Sequence, residues 1–140
     1  MKKIILTLLA LVTLLVSMTI IPAQAAIPTY ESTVLPRWVN TANITLQIDY
    51  NQNGYGYANA TVFGVVGVTK ITTNIKVYRQ QGALWKLVAE NESTINSMNG
   101  LFSCQFPLIS GSEYRADYII TVRKNNTDEI IEHTIYRSYT

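Results

Sequence analysis

A chain of 140 residues suffices for one domain and not for two. Its formal charge of +2 misleads, because Lys2 and Lys3 sit at the extreme start and the remainder carries nine basic residues against nine acidic ones. Those basic residues are scattered singly apart from Arg123-Lys124, which excludes the concentrated positive surface that nucleic-acid binding needs, and the lone Cys104 excludes an internal disulfide.

Lys2 and Lys3 precede an apolar run over residues 4–21, relieved only by Thr7, Thr13, Ser17 and Thr19. Pro22-Ala23-Gln24-Ala25 ends it in an Ala-x-Ala pattern that suits the narrow pocket of a signal peptidase. The expectation is a signal peptide over 1–25 and a secreted, extracellular mature chain with no stable membrane anchor after cleavage. The alternative is an uncleaved N-terminal segment tethering the protein to the membrane, since the run reaches the lower end of spanning length. Residues 26–36, with Pro28 and Pro36, have no periodicity and read as a linker.

From residue 37 to 140 the pattern is that of strands. Ile44, Leu46, Ile48 and Tyr50 alternate with Thr45, Gln47 and Asp49, and Asn51-Gln52-Asn53-Gly54 turns the chain. Ala58, Ala60 and Val62 then share one face, opposite Tyr57, Asn59, Thr61 and Phe63. Ile71, Thr73, Ile75 and Val77 form the third alternating set. Trp85, Leu87 and Ala89 form the fourth, followed by a polar, loop-like stretch over residues 91–100. Phe102, Cys104, Phe106 and Leu108 are the fifth apolar line, and Tyr114, Ala116, Tyr118, Ile120 and Val122 the sixth. In the seventh, Ile131, His133 and Ile135 share one parity while Ile130 and Tyr136 take the other, which predicts a bulge or burial on both faces. Thr, Val, Ile and Tyr dominate and no helical period follows residue 25. Seven short strands with regular turns predict an all-β, seven-stranded antiparallel immunoglobulin-like β-sandwich.

Leu108, Gly111, Tyr114, Arg115, Tyr118 and Val122 are spaced so that the segment resembles the approach to strand F of immunoglobulin-like and fibronectin type III domains. The resemblance implies that the Tyr114 hydroxyl pins the preceding corner, which holds Gly111; Trp85 is read as a further structural residue. The unpartnered Cys104 makes the fibronectin-like end of that family the better match. Over about residues 37–139 the chain also resembles small secreted Firmicutes proteins of unknown function, through Arg37-Trp38, Trp85-Lys86-Leu87-Val88 and Gly111-Ser112-Glu113-Tyr114-Arg115. That family carries no established activity, so it implies no functional residue.

Little in the sequence supports catalysis. His133 is the only histidine, Cys104 lies on an apolar parity, and neither a nucleophile elbow nor a phosphate-binding glycine loop is present. An enzyme would have to work through carboxylates such as Asp49, Glu113 or Asp117, and an inhibitor through a rigid loop over residues 91–100. Asp49, Asn51 and Asn53 before Gly54 match the first half of a calcium loop, but the twelfth position is Ala60, where a bidentate Glu belongs. A hairpin turn explains the same residues, and no cofactor is expected. Tyr50, Tyr55 and Tyr57 around the first hairpin, with Trp38, are the candidate ligand-binding residues: aromatic faces beside Asn and Gln suit sugar rings. The reading is a secreted, non-enzymatic binding module for a glycan or a cell-surface protein. The alternatives are a self-associating matrix or envelope component and an enzyme inhibitor.

Overall fold

Alternation of apolar and polar side chains puts one face of each strand out of water, and two such faces must cover one another. The structure, a computed structural model, describes residues 38–140 and realises that solution with seven antiparallel strands. They are β1 (Thr41–Tyr50), β2 (Tyr55–Gly64), β3 (Val68–Gln81), β4 (Leu84–Ile95), β5 (Asn99–Pro107), β6 (Ser112–Lys124) and β7 (Thr127–Tyr139). One sheet has the order β1-β2-β5 and the other β4-β3-β6-β7. The fourth strand of a constant-type immunoglobulin sandwich joins the sheet of the first two; here β4 pairs with β3 instead. The expected signal peptide and linker lie outside the described residues. Among those residues no helix is long and apolar enough to cross a membrane.

The core is the alternating set itself. Ala58, Ala60 and Val62 of β2 and Phe102, Cys104 and Phe106 of β5 face Ile71, Ile75 and Val77 of β3 and Tyr114, Ala116, Tyr118, Ile120 and Val122 of β6. Fully burying a side chain of the Val, Ile or Phe class contributes about 1.5–3 kcal/mol. This packing takes the place of the disulfide that the chain cannot form. Burial pushes the Cys104 thiol above its ordinary range, with a smaller push from the Glu90 charge. The thiol therefore stays protonated and inert in the native state.

Packing also explains two glycines. A Cβ at Gly56 would run into the ring of Phe106, which stands opposite it across the β2–β5 pair. A Cβ at Gly100 would run into the ring of Phe102, its neighbour two residues along β5. Each missing side chain is the slot that the phenylalanine fills.

The structure corrects three expectations. Residues 91–100 are not a loop: β4 continues to Ile95, β5 begins at Asn99, and only residues 96–98 connect them. The protruding segment an inhibitor would need is absent there, because Asn91, Ser93 and Thr94 are polar yet still pair with β3. The alternation of Trp85, Leu87 and Ala89 is broken by a bulge. Ala89 stands opposite Val77 and Leu87 opposite Tyr78, leaving Val88 unpaired. Trp85, half-buried, and Leu87 consequently stand on the outer face of the sheet while Ala89 faces the core. Finally, β7 pairs with β6 without any register shift. Ile131 points into the core, and Ile130 and Tyr136 stand 64% and 58% exposed on the outer face, so neither a bulge nor two-sided burial applies.

The open side of the sandwich, between β1 and β7, is closed by polar side chains. Glu129 accepts the backbone N–H groups of Val39 and Asn40 and the Thr41 hydroxyl, fastening the entry to β1. At the far end Arg137 donates to the Ile48 carbonyl, stacks over the Tyr50 ring at 4.6 Å and lies 3.7 Å from Asp49. An exposed pair shows the same electrostatics on the β6–β7 hairpin. Arg123 donates two hydrogen bonds of 2.6 Å to Asp128, which hold the Asp128 carboxyl below the usual carboxylate range. A depressed folded value means that the pair's small stabilisation is complete above the unfolded value of about 3.9 and fades as pH falls through the folded one. NMR titration should find Asp128 changing at lower pH than a free aspartate, and Arg123→Gln should return it to the ordinary range.

Candidate functional site

Because Ala58, Ala60 and Val62 are buried, the odd-numbered residues of β2 look outward. The register sets Tyr57 between Asp49 of β1 and Gln105 of β5, and Asn59 between Gln47 and Ser103. Neighbouring strands lie about 4.8 Å apart, so these side chains form two adjacent rows on the sheet surface. Asp49 Oδ2 accepts from Gln47 Nε2 at 2.6 Å and from Asn59 Nδ2 at 2.9 Å. The Asn51 amide donates to the Tyr57 hydroxyl at 3.2 Å, and Tyr55, 44% exposed, stands where the rows meet the hairpin. The result is a carboxylate held at the surface by two amides, beside two tyrosines. Such a surface accepts and donates hydrogen bonds to hydroxyl groups without first having to order itself.

The other two candidate binding residues are not part of it. Tyr50 shares its parity with Ile48 and turns inward, where its ring packs edge-on against Tyr139 at 5.0 Å and Tyr114 at 6.4 Å. Its hydroxyl donates to the Arg137 carbonyl at 2.9 Å, and burial pushes its ionisation far above the ordinary phenol range against a smaller downward pull from Arg137. Trp38 packs against the core beside the entry to β1, the full length of that ten-residue strand, or roughly 33 Å, from the hairpin.

The half calcium loop is used up internally. Asn51 Oδ1 accepts the backbone N–H groups of Asn53 and Tyr55, both at 3.0 Å, which builds the turn. The Asp49 carboxylate faces two amide donors and Arg137. Among the described residues no group of three His, Cys, Asp or Glu side chains is placed to hold a metal ion. The three carboxylates considered for catalysis are dispersed as well. Asp49 lies on the outer face of one sheet and Asp117 on that of the other, where it pairs with Arg115 at 3.0 Å. Glu113 and Asp117 are four residues apart on β6, about 13 Å along the strand.

A second cluster occupies the outer face of the four-stranded sheet. The Arg115 guanidinium lies 4.3 Å from the Tyr78 ring centre and 5.3 Å from that of Trp85, and Tyr136 meets Trp85 edge-on at 5.7 Å. Sequence reasoning missed it because the bulge at Val88 decides which way Trp85 points. It also missed Gln47 and Asn59, although the alternation of β2 already put Asn59 on the face of Tyr57.

Tyr114 and Gly111 sit at the β5–β6 corner. The buried Tyr114 hydroxyl accepts the Ile109 N–H at 2.8 Å and donates to the Pro107 carbonyl at 3.2 Å. Gly111 adopts φ +74°, and its N–H donates to the Tyr139 carbonyl at 2.8 Å.

No family model matches the chain, and no curated protein is similar to it. Among solved structures it is similar to a glycosyl hydrolase family 2 member from Bacteroides cellulosilyticus, with a TM-score of 0.42 and 11% identity over 71% of this chain and 14% of that one. It is also similar to a protein from Archaeoglobus fulgidus, with a TM-score of 0.36 and 9% identity over 72% of this chain and 98% of that one. The chain thus spans only about a seventh of the hydrolase.

Proposed function

We propose that the mature chain is a secreted, non-catalytic binding module that holds an extracellular glycan on the outer face of the β1-β2-β5 sheet. The observation that carries this reading is the Gln47–Asp49–Asn59 cluster, ordered by its own hydrogen bonds beside Tyr57 and Tyr55. Planar carboxylate and amide groups match the paired hydroxyls of a sugar, and a tyrosine ring offers its face to the sugar's C–H side. Secretion rests on the Ala-x-Ala leader.

The test is thermal-shift screening followed by calorimetry against soluble cell-wall, plant and mucin polysaccharides. A ligand of the native state raises the melting midpoint. Asp49→Ala and Tyr57→Ala should each weaken that binding by ~10-fold or more, equivalent to about 1.4 kcal/mol. Trp85→Ala, on the opposite face, should leave it unchanged. A panel without a single binder, or binding indifferent to both substitutions, overturns the reading.

One observation favours a second reading, a protein partner on the other sheet. Tyr78, Trp85, Arg115 and Tyr136 are of the types that dominate interface hot spots, and Leu87, which stands opposite Tyr78 on the same face, is 46% exposed. Self-assembly through strand edges is less well supported. Glu129 and Arg137 of β7 point inward, β4 is bulged at Val88, β1 has a register shift between Thr41 and Asn43, and Asn91 covers the Ser103 carbonyl of β5 at 2.7 Å. All four are devices that blunt an edge.

A further inference from the structure

We propose that the β1–β2 hairpin carries a hydrolytic modification site: Asn53, followed by Gly54, deamidates in the folded protein, while the same dipeptide at Asn99 and Gly100 is protected by the fold. The reaction needs only water and a little base. The Gly54 amide nitrogen, having given up its proton, attacks Asn53 Cγ. A new C–N bond closes a five-membered imide as the Cγ–Nδ2 bond breaks and ammonia departs. Water then adds to one of the two imide carbonyls, and the C–N bond that opens leaves either aspartate or isoaspartate, with no change of oxidation state.

The hairpin leaves this path open. Asn53 and Gly54 are both exposed, and nothing lies within 4 Å of where a Gly54 Cβ would stand. Asn51 Oδ1 engages the N–H groups of Asn53 and Tyr55 on either side, whereas the intervening Gly54 N–H makes no hydrogen bond among the described residues. Gly54 has φ +79° and lacks the side chain that would shield its nitrogen. Its carbonyl is held by the Leu108 N–H at 2.9 Å, so the rotation that brings nitrogen onto Cγ is confined to the free peptide before it.

At the second site Asn99 is exposed as well, but the glycine that follows it is buried and lies within a paired strand. Asn99 and Gly100 lie in β5 opposite Phe63 and Val62, and the Asn99 N–H donates to the Ser97 hydroxyl at 3.2 Å. Gly100 is buried beneath the Phe102 ring. Turning its peptide would pull β5 from β2, so attack there waits on local opening of the sheet. Conversion at the hairpin puts a new negative charge beside Tyr55, and isoaspartate adds a carbon to the backbone of the turn itself.

The experiment is peptide mapping by mass spectrometry, with isoaspartate methyltransferase labelling, of the protein aged in mildly alkaline buffer. In the native state Asn53 should convert at least ~10-fold faster than Asn99, because only the latter must first open a strand pair. In denaturant the two should convert at similar rates. Asn53→Gln should abolish the hairpin signal and leave the slow Asn99 signal unchanged. Equal native rates, or a hairpin signal that survives Asn53→Gln, would overturn the proposal.

Discussion

Phe106→Ala should cost about 3–5 kcal/mol of unfolding free energy, the usual toll for emptying a buried aromatic site. That is a large share of the 5–15 kcal/mol typical of a whole domain, so urea unfolding should show a midpoint close to the start of the titration. The ring is almost fully buried, packs at 5.0 Å against Tyr114 and occupies the slot left by Gly56. The slot can be tested from its other side. Gly56→Ala drives a methyl group into the same ring and should cost about 1–3 kcal/mol by overpacking. Joining Gly56→Ala to Phe106→Leu should cost less than the two single changes added, with a coupling of roughly 0.5 kcal/mol or more. Strict additivity would mean that the ring does not lie where the glycine admits it.

The second large effect belongs to a single oxygen. Tyr114→Phe keeps the ring in the core and removes the hydroxyl that serves both Ile109 and Pro107. Leaving a donor and an acceptor without their partner costs about 1–3 kcal/mol. For a domain near 100 residues each kcal/mol lowers the melting midpoint by roughly 4–8 °C. Tyr118→Phe is the matched control, since that equally buried hydroxyl has one partner, the Gln47 carbonyl at 3.1 Å. The corner variant should melt below the control. The reverse order would place the stabilisation in the bridge between the sheets rather than in the corner.

The core could be read from the sequence because a period of two has a single physical meaning when only one face of a sheet is wet. Ala58, Ala60 and Val62, or Phe102, Cys104 and Phe106, needed no tertiary information. The same rule had already aligned Tyr50 with Ile48, so its inward turn followed from alternation, and proximity to Tyr55 and Tyr57 along the chain was a weaker guide. β4 was opaque for a different reason. A bulge shifts parity by one residue, and Val88 is as apolar as its neighbours, so nothing in the composition marks where the shift occurs. β7 misled because Ile130 and Tyr136 are apolar residues standing in water, which burial arguments cannot anticipate for one strand alone. The surface cluster was half visible. Asn59 shares the parity of Tyr57, but its bond to Asp49 depends on the register of the hairpin, and that register follows from the turn that Asn51 builds.

Fastening the entry of β1 to Glu129 also has a mechanical consequence. The first strand leaves that anchorage and leads to the hairpin, so Tyr55 and Tyr57 ride on the end remote from Trp38. Anything gripping the chain ahead of that point would carry the tyrosines outward like the tip of an outrigger, some 33 Å from the grip.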